Sequence, residues 1–373
     1  MDSIQMVDLK SQYLAIKKEV DEAIQNVIDS SVFIQGKTVR EFEIQLQEYL
    51  QIPYVISCGN GTDALQMALM ALGLQPGDEV ITTPFTFIAT AEVISLLHLT
   101  PVFVDVDPQT FNIDPALIEE KITTKTKAII PVHLFGQAAN MQEIQRIANQ
   151  HSLFIIEDAC QSLGTQYIDQ QGNTIQTGTI GDIGVTSFFP TKNLGCFGDG
   201  GAIFTKNKEL AERCRMIANH GSVKKYHYEL IGVNSRLDAI QAAILGVKLK
   251  YLDDYIKARE NAAALYDLLL QDDSRFVIPQ RVDYSTHTFH QYTLTVMDGQ
   301  RDQLKEKLAM NGIPSMIYYP KPLHLQKPFA HLGYTLGSLP VSESLSEQVL
   351  SLPMHTELTP EQQTFIVEKI QEE

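Results

Sequence analysis

The sequence predicts an α/β fold: a large domain on a mainly parallel central sheet, then a smaller α+β domain toward the C-terminus. Three observations carry that reading. Short β-branched runs alternate with helical patterns through the first two-thirds of the 373 residues, as in a sheet covered by helices. Most of those runs are apolar almost without a break, the pattern of strands buried on both faces. After one long helical pattern, fewer strands mix with helices.

The runs are PYVISC (53–58), EVITT (79–83), PVFVDV (101–106), KAIIPV (127–132), LFIIED (153–158), VTSFF (185–189) and GAIFT (201–205). Between them lie helical stretches such as TDALQMALMALGL (62–74) and NMQEIQRIANQH (140–151). The helical pattern from Arg236 to Gln271 would extend about 50 Å as one helix at ~1.5 Å per residue, enough to bridge two domains. Residues 1–248, with an N-terminal helical segment, are read as the large domain and 249–373 as the small one. In the latter HQYTLTVM (290–297) and PSMIYY (314–319) read as strands, and RDQLKEKLAM and TPEQQTFIVEKIQ as helices. No repeat or low-complexity tract appears.

The composition narrows the function. A formal net charge of −16 argues against a nucleic-acid surface, which needs a basic face to displace counterions. A small anionic ligand would need a local positive pocket. No apolar run reaches the roughly 18–20 residues of a membrane span, and the opening MDSIQMVDLKSQY is too polar for a secretory signal. Cys58, Cys160, Cys196 and Cys214 form no CxxC pair and no metal-ligand spacing. Reduced thiols in a cytoplasmic protein are expected.

Three stretches carry chemistry. In SCGNGTDAL (57–65) a strand ends, two glycines turn the chain, and a helix opens with Asn60 or Thr62 as its cap. Free N–H groups at such a helix start bind phosphate. Gly59-x-Gly61-x-x-Ala64 also fits a dinucleotide fingerprint. The next strand, however, ends in Thr82, Thr83 and Pro84, without the acidic residue a ribose requires. A phosphate site or a plain strand-to-helix turn remains. In LFIIEDACQS (153–162) an apolar strand delivers Glu157 and Asp158 at its C-terminal end, where open α/β sheets bind ligands; a helix-capping aspartate is the alternative. In FFPTKNLGCFGDGG (188–201) Lys192 stands between aromatics and four glycines. Burial lowers a lysine pKa by up to about 3–5 units, enough to free a nucleophilic amine. Phe188, Phe189, Cys196 and Phe197 are candidates for the dry surroundings.

Together, a phosphate cradle, a carboxylate on one strand end and a lysine near another are what pyridoxal 5'-phosphate (PLP) requires. No metal is called for, and the GxSxG elbow of a Ser/His/Asp hydrolase is absent.

The motifs NGTDAL, GDEVITTPFTF, FVDVDPQTFNID, IIPVHLFG, IEDACQS, SFFPTKNLGCFGDGGA and GVNSRLDAIQAAIL strongly resemble the DegT/DnrJ/StrS family of PLP-dependent sugar aminotransferases. The match runs from about residue 7 to 355. The resemblance implies the PLP-dependent transferase fold type I, as in aspartate aminotransferase. It makes Lys192 the Schiff-base lysine and Asp158 the partner of the pyridine nitrogen. It has Gln161 bond the ring hydroxyl and Phe87 stack on the ring; a core phenylalanine is the alternative for Phe87. Gly61, Thr62 and Ser187 would hold the phosphate, with Asn234 reaching in from a second subunit, which implies a homodimer with shared sites. Relatives that dehydrate carry histidine in place of the lysine.

The resemblance further implies L-glutamate as donor and a nucleotide sugar as acceptor. NSRLD (234–238) and the wording around Lys192 are most similar to enzymes aminating C3 of UDP-2-acetamido-2-deoxy-3-oxo-D-glucuronate for bacterial surface polysaccharides. A dTDP-3-keto-6-deoxyhexose is the alternative acceptor, and a non-catalytic regulatory relative a further one. Arg236, with Lys224, Lys225, His227 and Lys321, is the candidate patch for a sugar diphosphate; an ion pair of Arg236 with Asp238 or Glu229 is the alternative. Tyr318 and Tyr319 lie where a sugar-contacting loop from the second subunit is expected, and many relatives have His-Tyr-Pro there.

Overall fold

The computed structural model describes residues 3–372. Seven strands form its central sheet: β1 (Tyr54–Cys58), β2 (Glu79–Thr82), β3 (Thr100–Phe103), β4 (Thr126–Ile129), β5 (Phe154–Asp158), β6 (Ile183–Ser187) and β7 (Gly201–Thr205). Their spatial order is β1-β7-β6-β5-β4-β2-β3. Neighbours from β3 to β6 pair in parallel, and β7 alone runs against both β6 and β1. Each of the seven apolar runs becomes one of these strands.

Burial explains why the runs are continuous. On β1, Ile56 packs into one cluster with Val80, Ile156, Val185 and Ile203. Val55, its neighbour, packs into a cluster on the other face with Phe188 and Phe204. Both faces are dry, so both parities are apolar, and each fully buried Val or Ile contributes about 1.5–3 kcal/mol.

The helix Gly61–Leu72 begins directly after β1. Asn60 Oδ1 accepts from Asp63 N at 2.8 Å, an N-cap typically stabilising by about 1 kcal/mol. Gly73, at φ 73°, closes the helix in the left-handed conformation.

Two expectations are corrected. The helical pattern 236–271 is not one helix: it divides into Ala239–Leu249 and Leu252–Leu270. Tyr251, at φ −104° and ψ 1°, breaks the run, and Glu19 of the N-terminal helix Leu9–Ser30 takes both Tyr251 Oη and Lys250 Nζ. A tertiary contact thus lies at the break. The stretch PSMIYY is not a strand. A three-stranded antiparallel sheet forms instead from β8 (Phe276–Val277), β9 (Tyr292–Val296) and β10 (Val349–Leu352). Met316 makes a single bridge to Ser351, and Pro320 and Pro322 beyond it have no N–H to continue pairing.

Tyr266, Phe289, Tyr292, Leu294 and Ile366 form the core around that smaller sheet. Asp105, just past β3, tethers this region to the large sheet. Its buried carboxylate accepts from Val341 N and Ser342 N, both at 2.9 Å, at the start of the helix Pro340–Gln348. Among the described residues, no helix is long and apolar enough to cross a membrane.

Candidate active site

Strand alternation separates the two acids at the end of β5. Glu157 turns into the protein, where its carboxylate accepts from Gly178 N at 2.8 Å and from Ile180 N and Gly181 N at 2.6 Å. His133 Nδ1 accepts from Ala139 N, so its proton sits on Nε2 and donates to Glu157 at 2.9 Å. Glu157 is thus a structural anchor. Asp158 turns the other way, into a cavity of about 630 Å³, a size suited to a small ligand or cofactor.

Asp158 is buried at 5% exposure. Its Oδ2 accepts from Thr90 Oγ1 at 2.8 Å and its Oδ1 from Cys160 N at 3.2 Å. Lys192 lines the same cavity from the loop after β6. Burial pulls its pKa below the usual lysine value, partly opposed by Cys160 and Asp158. Of the four residues read as its dry surroundings, Phe188 and Cys196 are buried, whereas Phe189 and Phe197 are half-exposed, and only Phe189 lines the cavity.

The cavity also gathers Gly61, Thr62, Phe87, Gln161, Ser187, Tyr318 and Tyr319. Gly61 has no room for a side chain: a Cβ there would meet Ser187 Cβ at 2.8 Å. The first-turn N–H groups of Gly61 and Thr62 have no acceptor within their helix, so the turn offers donors and close approach to an anion. Phe87 is 56% exposed, not in the core, and precedes the helix Ala89–Leu96. Gln161 Oε1 accepts from Phe135 N at 2.8 Å, which fixes the amide orientation, and its Nε2 donates to Tyr319 Oη at 3.1 Å. One amide hydrogen remains for a ligand. Among the described residues, an anion cradle, an exposed ring, a buried carboxylate, a free amide hydrogen and a desolvated amine converge, and these are groups that fit PLP.

The remaining candidates lie elsewhere. Asn234 is exposed, and His227, Lys224 and Lys225 sit on an exposed two-stranded ribbon. Lys321 is exposed as well. Arg236 opens into a separate cavity of about 290 Å³ beside Arg40 and Arg215. Among the described residues it forms no ion pair with Asp238 or Glu229. Tyr318 and Tyr319 line the cavity of their own chain rather than presenting a loop only to another subunit.

Thr86, Thr90, His290 and Gln291 line the cavity without having been singled out from sequence. Burial, with the charges of Lys192 and Arg259, drives the His290 pKa well below the ordinary histidine value, and its Nδ1 has no partner among the described residues. Nothing local distinguishes these residues; they become visible only when remote segments meet.

Comparison with known proteins agrees with this geometry. A model of the DegT/DnrJ/EryC1/StrS aminotransferase family matches residues 14–371. The chain belongs to that family. This DegT-family chain is 50% identical, over 99% of its length and 98% of the relative's, to a "Pleiotropic regulatory protein" of Geobacillus stearothermophilus. It is 45% identical to the UDP-2-acetamido-2-deoxy-3-oxo-D-glucuronate aminotransferase of Pseudomonas aeruginosa, covering 94% of this chain and 95% of that one. It is 39% identical to a dTDP-3-amino-3,4,6-trideoxy-alpha-D-glucose transaminase of Streptomyces venezuelae, covering 99% and 96%. Among solved structures, NtdA of Bacillus subtilis with bound cofactor PMP superimposes with a TM-score of 0.87 at 36% identity, covering 95% of this chain and 80% of that one. As a DegT-family enzyme the protein is a PLP-dependent aminotransferase with the type I fold.

Proposed function

We propose that this DegT-family enzyme transfers the amino group of L-glutamate to C3 of a UDP-linked 3-keto sugar, with UDP-2-acetamido-2-deoxy-3-oxo-D-glucuronate as the acceptor. The observation that carries the chemistry is the meeting of Lys192 and Asp158 in one cavity. The acceptor is supported by the 45% identity to the Pseudomonas aeruginosa enzyme.

PLP, when bound, supplies an aldehyde for the amino group and an electron-withdrawing ring. This chain supplies the rest. Lys192 would hold the aldehyde, and once released its Nζ, whose pKa burial lowers, would be the base for the α-proton of glutamate. Positioned proton transfer of this kind contributes roughly 10²–10⁴-fold. Asp158 would meet the ring nitrogen, its carboxylate oriented by Thr90 Oγ1 and Cys160 N. Gln161 would donate its free amide hydrogen to the ring hydroxyl, and Phe87 would cover the ring face. Gly61, Thr62 and Ser187 would take the phosphate.

We further propose a homodimer with shared sites, in which Asn234 and Arg236 serve the partner's cavity. Two facts support this: both lie outside the cavity of their own chain, and Arg236 has no counterion among the described residues. His227, Tyr318 and Tyr319 are the other proposed substrate contacts. Aminated product would feed surface polysaccharides such as O-antigen.

Identity of 39% to a dTDP-sugar transaminase favours a second reading, transfer to a dTDP-3-keto-6-deoxyhexose. Parallel assays with both keto sugars and glutamate decide between them, and preference for the deoxyhexose overturns the first. The name of the Geobacillus relative raises a non-catalytic role. Purified protein without visible cofactor absorbance, even after addition of PLP, would favour that role.

A further inference from the structure

Lys248 is 2% exposed, in the last turn of the helix Ala239–Leu249. Its Nζ donates to the carbonyl of Gly195 at 2.6 Å and lies 5.7 Å from the centre of the Phe197 ring. An ammonium has three hydrogens to place, and burying one with a single acceptor and a ring face is costly. A leucine or methionine would fill the same space without that cost.

The acceptor belongs to the loop that carries Lys192. That loop folds back on itself: Lys192 N donates to Phe189 O and Cys196 N to Phe188 O, each at 2.8 Å. Gly195 sits so close to the start of the loop that a Cβ would meet Pro190 O at 2.3 Å. Its carbonyl, three residues from Lys192, is the one that Lys248 Nζ holds. The same helix grips the loop again, where Gln241 Oε1 accepts from Phe197 N at 2.8 Å. Two side chains of one helix thus bracket the segment that follows Lys192.

We propose that Lys248 is a positioning residue for Lys192, holding the Gly195 carbonyl so that the loop presents the amine to the cavity in one place. The proposal rests on Lys192 being the residue that binds PLP. Burial draws the Lys248 pKa down to about 8, with Cys196 opposing and Arg259 reinforcing the shift. Both protonation states keep a hydrogen for Gly195, so the grip survives titration.

The test compares the PLP-loaded parent, Lys248→Met and Lys248→Arg. The readouts are the pH titration of the bound coenzyme's visible absorbance and the separate kcat and KM of the glutamate half-reaction. Lys248→Met is expected to lose about 10- to 100-fold in kcat, the scale of a misplaced reacting group, with KM within about twofold. The absorbance midpoint should move by about 0.5 unit or more, the scale of one lost hydrogen bond. Lys248→Arg should recover both in part. A folded Lys248→Met with the parent's kcat and midpoint overturns the proposal. If Lys248→Met does not fold, Lys248→Leu takes its place, and a parent-like kcat and titration there overturn the proposal instead. Borohydride reduction of the parent keeps the underlying assumption separate: no label at Lys192 refutes that premise, whereas a label at Lys192 with unchanged titrations refutes only the role of Lys248.

Discussion

Thr90 Oγ1 donates to Asp158 Oδ2 at 2.8 Å, inside a buried pair whose members are 68 residues apart in sequence. Thr86 Oγ1 lies 3.3 Å from Thr90 Oγ1 and extends the chain of hydroxyls. The hydroxyl contact orients the carboxylate, and a hydrogen bond to a charged group typically contributes about 1.5–3 kcal/mol. Thr90→Val keeps the shape and removes the donor. It should slow the glutamate half-reaction about 10-fold and shift the coenzyme's absorbance titration, and Thr90→Ser should restore both. Stopped-flow absorbance checks this, and an unchanged Thr90→Val would dismiss the contact as incidental.

Gly61 is the proposed point of close approach for the phosphate. A methyl group there collides with Ser187 Cβ at 2.8 Å and Cys160 Sγ at 3.0 Å, so Gly61→Ala must move the turn or the strand end. PLP retention should fall by about 10-fold or more, since a displaced turn loses at least one charge-assisted hydrogen bond to phosphate. Equilibrium dialysis of PLP measures it, and circular dichroism should stay that of the parent.

His287 and His355 are buried without charge. Burial pulls their pKa values from 6.5 to about 3 and about 4 respectively, with Arg281 adding to the effect on His287 and Arg259 to that on His355. Neither His355 ring nitrogen has a partner among the described residues. A depressed histidine binds fewer protons folded than unfolded, so stability is fully present above pH 6.5 and is lost as pH falls toward 4. The His355 contribution is on the order of 3 kcal/mol. Urea midpoints between these limits should fall with acid in the parent and fall less steeply in His355→Leu.

Asp105 accepts three hydrogen bonds from the start of the helix Pro340–Gln348, including one from Ser342 Oγ at 2.5 Å. Asp105→Ala leaves those donors without their buried acceptor, at a cost of roughly 1–3 kcal/mol for each donor left unsatisfied. Thermal unfolding should start several degrees lower, with little change in how a folded sample reacts with glutamate.

The sheet was legible because its strands are buried on both faces and keep few polar residues. That Asp158 and Lys192 come together in one cavity was expected because one ends a buried strand and the other soon follows one, at the C-terminal strand ends where ligands collect. The long helical pattern from Arg236 misled, because nothing in its periodicity marks the interruption at Tyr251, where the chain meets Glu19, a residue more than two hundred positions earlier. PSMIYY misled because its pairing with the edge strand β10 stops at the single Met316–Ser351 bridge, with Pro320 and Pro322 just beyond lacking the N–H to continue. Thr90, His290 and Lys248 were invisible for a related reason: their roles arise only from contacts with distant segments. The strand pattern alone delivered Glu157 and Asp158 together; only the family resemblance singled out Asp158, and the sheet puts the two on opposite faces.

The central claim is that Lys192 carries the aldehyde of PLP in this cavity. Borohydride reduction of the PLP-loaded protein, followed by peptide mass mapping, tests it directly. A phosphopyridoxyl mass on Lys192, lost in Lys192→Ala, is the predicted result; a stable mass on any other lysine, or none, would contradict it.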